Sequence, residues 1–194
     1  VEQLLRHNVR NAVNVIGGVR IDVDQEQVGS MRARLDALEK QVRKVVDLVQ
    51  NEQTFQVRTR GVGVLSQEQV RRYCVVGPVA RASGVDLDLR RDAPYAIYDR
   101  LEFDVITIPD GDVWARTLVR MLETLESLAM CRQILADLPD GPLAARAPRR
   151  VPAGQVVSRC EAPRGELLYY IRSDGSDSPA RVKVRTPTLT NLIT

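Results

Sequence analysis

At 194 residues the chain has the length of one ordinary domain with a core of its own, and its formal net charge of +3 is too slight for a general polyanion binder. One histidine, His7, and three widely spaced cysteines, Cys74, Cys131 and Cys160, contain no C-x-x-C pair, which excludes an in-chain zinc or iron–sulfur site of ordinary spacing. No apolar run reaches the roughly 18 residues of a membrane span, and an odd number of scattered cysteines points to a reducing compartment.

Read in chain order, the first 20 residues hold a short amphipathic stretch, Val9 to Ile16, closed by Gly17-Gly18. After the start signal Asp22-Val23-Asp24, the residues Met31, Leu35, Leu38, Val42, Val45 and Val49 recur at steps of four and three. That stripe predicts a helix over 25–51 packed against another helix. Gly61 to Leu65 reads as a short buried strand, Ser66-Gln67-Glu68-Gln69 as a capped helical turn, and Gly77-Pro78 and Ser83-Gly84 as turns. Leu101 to Ile108 reads as a further strand. A second stripe runs through Trp114, Leu118, Met121, Leu125, Leu128 and Leu135; Asp110-Gly111-Asp112 caps it, and Leu138 to Pro142 ends it.

From Arg146 to Pro152 the composition shifts to Arg, Ala and Pro, an exposed connector. Glu166 to Ser173 and Arg181 to Thr186 then make two strands joined by Asp174 to Pro179. Val182 and Val184 alternate with charged residues, so one face of the second strand is expected to be buried. The expected fold class is α+β: a long-helix bundle core with a small β-rich part that includes a C-terminal hairpin. Residues 1–145 form the helical core with its central loop and strand segment, and 146–194 the connector and hairpin packed on it, as one structural domain.

Little catalysis is recognisable from the residues themselves. There is no P-loop, Gly61-x-Gly63 lacks the third glycine of a dinucleotide site, and no nucleophile elbow occurs. Asp86/Asp88 and Asp110/Asp112 read as turn and cap formers. His7 lacks co-ligands and reads as an ordinary hydrogen-bonding side chain.

Motifs distributed along the chain are more specific. They are His7 to Asp22, Arg58 to Leu65 (RTRGVGVL), Gly77 to Val85 (GPVARASGV), Asp88 to Tyr98 (DLRRDAPYAIY), Glu161 to Glu166 (EAPRGE) and Arg185 to Asn191 (RTPTLTN). In this order they resemble the catalytic large subunits of nickel–iron hydrogenases, the membrane-bound energy-converting ones most, and next the related quinone-site subunit of respiratory complex I. The chain opens without methionine and stops just after a strand-like segment, so it reads as the central portion of such a subunit.

The resemblance implies hydrogen oxidation or evolution, coupled to a ferredoxin-like carrier and to membrane ion pumping. It implies a small iron–sulfur subunit and membrane subunits as partners, no nucleic acid, and a cytoplasmic place on the inner face of the membrane without a span of its own. It also implies a nickel–iron centre in the full-length protein. The family's two cysteine pairs are missing from this chain, which therefore binds no metal and is expected to be inactive alone. By the same resemblance Arg164 stands over the metal centre, flanked by a rigid Pro163 and a small Gly165, and Thr188 after Pro187 donates to a cyanide ligand, with Glu161 in support. From spacing alone, Arg164 reads as an ion-pair partner of Glu161 or Glu166, and Thr188 as a turn-forming hydroxyl. Arg81, Arg90 and Arg91 read as knitting loops through backbone carbonyls. Two other readings stand beside the hydrogenase: the quinone-site subunit of complex I, and a non-catalytic interaction module that kept the scaffold.

Overall fold

A computed structural model describes residues 14–148 and 150–192. His7 and residues 9–13 of the expected amphipathic stretch lie outside them. Asn14–Val15 (β1) and Gly18–Val19 (β2) pair as a minute antiparallel hairpin. It is tied to the segment after the second long helix by Val19 N–H donating to Leu143 O (2.9 Å) and Ala145 N–H to Gly17 O (2.9 Å).

The first long helix, α1, spans Gln25–Asn51, where the stripe places it. Asp24 caps it in a capping box: its carboxylate accepts from Gln27 N–H at 2.7 Å, and its own N–H donates to Gln27 Oε1 at 3.1 Å. Short helices follow at Gln53–Thr59 (α2), Gln67–Arg72 (α3), Pro78–Arg81 (α4) and Leu89–Asp92 (α5). Ser66 and Gln69 form the expected cap on α3. The second long helix, α6, spans Val113–Ala136 and is capped by Asp112, which accepts from Ala115 N–H.

α1 and α6 run antiparallel. Arg32 Nη2 donates to Leu135 O (2.7 Å), Arg132 reaches Asp36 (2.9 Å) and Glu39 (2.5 Å), and at the other end Phe55 packs against Trp114 at a tilt of 54°, with centroids 5.9 Å apart. On α1, Val28 and Val46 are buried, whereas Leu38, Val45 and Leu48 are exposed, because α6 covers only part of the apolar stripe. Most of the core lies beneath the other face of α6 and the loops around it. Leu65, Val70, Val75, Val79 and Ala80 form one cluster, and Ala82, Ala115 and Val119 form another against Ile106 and Ile108.

Neither of two further expected strands joins a sheet, and the first is neither extended nor buried: Gly61 to Gly63 turns, with both glycines at positive φ, and Val62 and Val64 are exposed. Gly61 to Leu65 bonds to the start of α6 and its loop, with Leu65 N–H to Gly111 O (2.9 Å) and Val113 N–H to Val62 O (3.1 Å). Leu101 to Ile108 runs along α6, whose side chains take the place of a neighbouring strand. Gln133 brackets Glu102, accepting from its N–H (2.9 Å) and donating to its carbonyl (2.6 Å), and Glu126 accepts from Asp104 N–H (3.2 Å).

The sheet has a strand the sequence reading did not expect. Gly154–Ala162 (β3) pairs with Gly165–Ser173 (β4), which pairs with Arg181–Arg185 (β5), all antiparallel. The expected hairpin is β4 and β5. The expected burial of Val182 and Val184 does not occur, since each is 46% exposed. The sheet is covered mainly where its β3–β4 end meets the helices, and a short helix, α7 (Pro187–Asn191), follows β5.

Removing Trp114, 4% exposed, takes away the partner of both Phe55 and the Arg60 guanidinium. In urea unfolding, Trp114→Ala is expected to lose about 3–5 kcal/mol. Leu48→Ala, on the uncovered face of α1, is expected to change stability by less than about 0.5 kcal/mol.

Candidate functional site

The site is built on a buried arginine. Arg81 ends α4 and is 2% exposed, so its guanidinium must be compensated inside the protein. Its Nε donates to Glu123 on α6 (2.5 Å), and its Nη1 donates to Glu161 on β3 (3.0 Å) and to the Leu87 carbonyl (3.0 Å). Asp88 lies 3.4 Å away and is held by Arg90 through both oxygens, at 2.9 and 2.6 Å. Asp88 also caps α5, as expected for an Asp of that type. Arg91 is exposed and pairs with Asp86 (2.7 Å) and Asp92 (2.8 Å). These arginines do knit the loops, chiefly through carboxylates.

Protonation follows from this arrangement. Burial pushes Glu161 above its usual value, and the neighbouring Arg81 only partly offsets that. For Asp88 burial acts in the same direction, but the bonds from Arg90 and the charge of Arg81 hold it below the usual range. Burial alone would weaken the Arg81 cation; Glu123, Glu161 and Asp88 together outweigh it, Glu123 most, and the guanidinium stays charged. Tyr95 is pushed up to about 12, first by burial, while its hydroxyl accepts from Glu161 N–H (3.0 Å).

Glu161 thus anchors the end of β3, and the turn Pro163-Arg164 follows. Gly165 lies against Gly77 backbone to backbone. A Cβ on Gly165, φ +121°, would sit 2.7 Å from Gly77 N, and one on Gly77, φ +68°, would sit 2.4 Å from Gly165 Cα. Asn191 at the end of α7 fastens the same junction: its Nδ2 donates to Arg164 O (3.0 Å) and Val76 O (3.2 Å), and its Oδ1 accepts from Val76 N–H (3.2 Å).

The Arg164 backbone is therefore fixed while its side chain is exposed. Neither expected ion pair forms. Glu161 is taken by Arg81, and Glu166 lies 3.8 Å from Arg159 and 4.0 Å from Arg185. Arg164 instead lines a cleft of about 580 Å³ together with Thr188, Asn191, Tyr73, Arg116 and Arg120. The two residues singled out from the sequence, Arg164 and Thr188, share one wall system; Pro187 is buried at the start of α7, and Pro163 and Glu161 border a second cavity on the Arg81 side. Arg116 and Arg120 were missed. They stand four residues apart on the polar face of α6, a pattern that by itself reads as a solvated surface.

The donor set does not fit a metal. Among the described residues no group of three or more His, Cys, Asp or Glu side chains could hold a metal ion. Cys74 and Cys131 are exposed at separate places, and Cys160 sits on β3 opposite Leu167.

Two outcomes test this geometry. Arg81→Leu leaves Glu123, Glu161 and Asp88 short of their cation and is expected to cost about 3–5 kcal/mol in denaturant unfolding. The raised value of Glu161 means that the folded protein binds its proton more tightly than the unfolded chain does. Its contribution is therefore fully present below the usual glutamate value of 4.5 and is lost as pH rises through the folded value. Glu161→Gln is expected to flatten the fall of stability with pH between 4.5 and the raised folded value, as read by unfolding at several pH values.

Comparison with known proteins places the chain as a whole. The family described as "Respiratory-chain NADH dehydrogenase, 49 Kd subunit" matches residues 2–151 and 145–194. The carbon monoxide-induced hydrogenase of Rhodospirillum rubrum is 45% identical over 181 residues, covering 93% of this chain and 50% of that protein. A subunit of the NADH-quinone oxidoreductase of Dehalococcoides mccartyi is 43% identical over 178 residues, covering 91% of this chain and 48% of that protein. Among solved structures, a chain of the membrane-bound sulfane sulfur reductase, an archaeal respiratory membrane complex, superposes with a TM-score of 0.85 at 30% identity, over 91% of this chain and 50% of that one. The chain spans about half the length of these relatives. With the match extending over nearly every described residue and the fold shared at this level, the chain belongs to the respiratory-chain NADH dehydrogenase 49 Kd subunit family.

Proposed function

We propose that the chain is the central part of an oxidoreductase large subunit of the energy-converting hydrogenase type. In this reading the whole protein exchanges electrons between hydrogen and a ferredoxin-like carrier through a small iron–sulfur subunit, with membrane subunits pumping ions. The observation that carries it is the meeting of Arg164 and Thr188 at one cleft, with the Arg164 charge left without an internal carboxylate among the described residues. The 45% identity to a hydrogenase supports the same reading.

Metal ligands for a nickel–iron centre come, in this reading, from outside the described residues. What the chain itself supplies is electrostatic. Arg164 presents a permanent cation on a backbone pinned by Asn191, and Thr188 presents a hydroxyl donor. No helix of the described residues is long and apolar enough to cross a membrane, so attachment to the inner face of the membrane runs through partner subunits.

A second reading, the quinone-site subunit of complex I, is favoured by the family description and by the 43% identity to a subunit of an NADH-quinone oxidoreductase. Metal analysis of the full-length protein, purified in its complex, separates the two. The hydrogenase reading expects bound nickel and hydrogen-dependent viologen reduction, with Arg164→Gln lowering that rate on the order of 10²-fold or more. A complex without nickel that reduces quinone would contradict it and establish the second reading.

A further inference from the structure

Arg116 and Arg120 on α6 are not used by that reading, yet both line the same cleft as Arg164. Arg116 is held in place by Nη1 donating to Gly111 O (2.6 Å) and Nη2 to Gly63 O (2.9 Å). These acceptors are neutral, so they orient the fork without cancelling its charge. Asp112 offsets it in part, but that carboxylate spends its two oxygens on the N–H groups of Gly61 and Ala115, each at 2.8 Å.

Among the described residues no Asp or Glu lines the cleft, and none lies within ion-pair distance of Arg116, Arg120 or Arg164. Elsewhere Arg81, Arg90, Arg91 and Arg132 each have a carboxylate at 3.0 Å or less, whereas Arg32 and Arg60 are placed singly, on the Leu135 carbonyl and over the Trp114 ring; the cleft differs in gathering three such arginines. Three cations gathered in one recess repel one another. Burial lowers the affinity of Arg116 for its proton; Asp112 opposes this in part, and the charge of Arg120 adds a smaller push in the same direction as burial. Such a recess gains stability when negative charge enters it. Guanidinium forks suit a planar or tetrahedral oxygen anion in particular, and Thr188 adds a hydroxyl donor at the rim.

We propose that the cleft between α6, the Pro163-Arg164 turn and α7 is a binding site for a small oxyanion, a phosphate, sulfate or carboxylate group held by Arg116, Arg120 and Arg164. Hydrogen and quinone carry no charge, and the centre that Arg164 and Thr188 would face in the hydrogenase reading makes no use of Arg116 or Arg120. The site therefore goes beyond the oxidoreductase reading and adds an anionic ligand to it. A recess of about 580 Å³ has the size of an ordinary small-molecule pocket, so the anion is either a free ion or the charged end of a larger metabolite.

The test is a titration of the full-length protein with inorganic phosphate against potassium chloride at equal ionic strength, read by calorimetry and by thermal unfolding. Saturable binding of phosphate and a rise in Tm that chloride does not reproduce are expected. Arg120→Gln, at an exposed position, and Arg116→Gln should each weaken phosphate about tenfold or more, while Arg146→Gln, exposed in the segment after α6, should leave it unchanged. Unfolding of each variant without phosphate verifies that it is folded. Glycerol phosphate competing more strongly than inorganic phosphate would assign the site to an organic ester; weaker competition would assign it to the free ion. Equal effects of phosphate and chloride, or affinities unmoved in Arg116→Gln and Arg120→Gln, would overturn the proposal. The readout needs neither nickel nor turnover, so it can fail while the hydrogenase reading stands, and the reverse.

Discussion

A guanidinium taken out of water must meet its carboxylates inside the fold, and Arg81 is the place where this molecule meets that constraint. Its partners come from different parts of the chain: Glu123 from α6, Asp88 from the cap of α5, and Glu161 from the end of β3. The sheet makes few other deep contacts, as the exposed Val156, Val157, Val182 and Val184 indicate. Glu161 is therefore the point at which the charge network holds the sheet onto the helices, and the Tyr95 hydroxyl steadies the same residue through its backbone N–H.

Everything that happens at the cleft follows from that attachment. Three residues after Glu161 the chain turns at Arg164, and the contact of Gly165 with Gly77 brings the turn closer to α4 than any side chain would allow. Asn191 then bonds across the junction, so that α7 and Thr188 are placed by the same backbone groups that place Arg164. Because Arg81 takes up Glu161, the Arg164 charge is left facing outward into the cleft, where Arg116 and Arg120 add to it. The buried network and the cationic cleft are two sides of one division of charge.

Much of this was legible in the sequence where a periodic or capping signal dictates local structure. The stripe from Met31 to Val49 and the Asp24 box define α1, and Asp112 with Trp114 defines the start of α6. The motifs EAPRGE and RTPTLTN pointed to Arg164 and Thr188, which the fold brings to one cleft. What was not legible depended on partners distant in sequence. β3 has exposed residues along most of its length and so no alternation to betray it. Gly61 to Leu65 and Leu101 to Ile108 have strand-like composition, but their backbone groups bond to a helix start and to Gln133 and Glu126, which no local pattern can indicate. Arg116 and Arg120 look like any solvated helix face until the turn at Arg164 is laid opposite them.

The central claim is that Arg81 and Glu161 act as one unit in fastening the sheet to the helices. A double-mutant cycle tests it most directly, with Arg81→Leu, Glu161→Gln and the pair measured by urea unfolding at neutral pH. A coupling energy of about 1.5–3 kcal/mol is predicted, because each substitution alone strands the other buried partner. Additive effects, with coupling within about 0.5 kcal/mol of zero, would contradict the account.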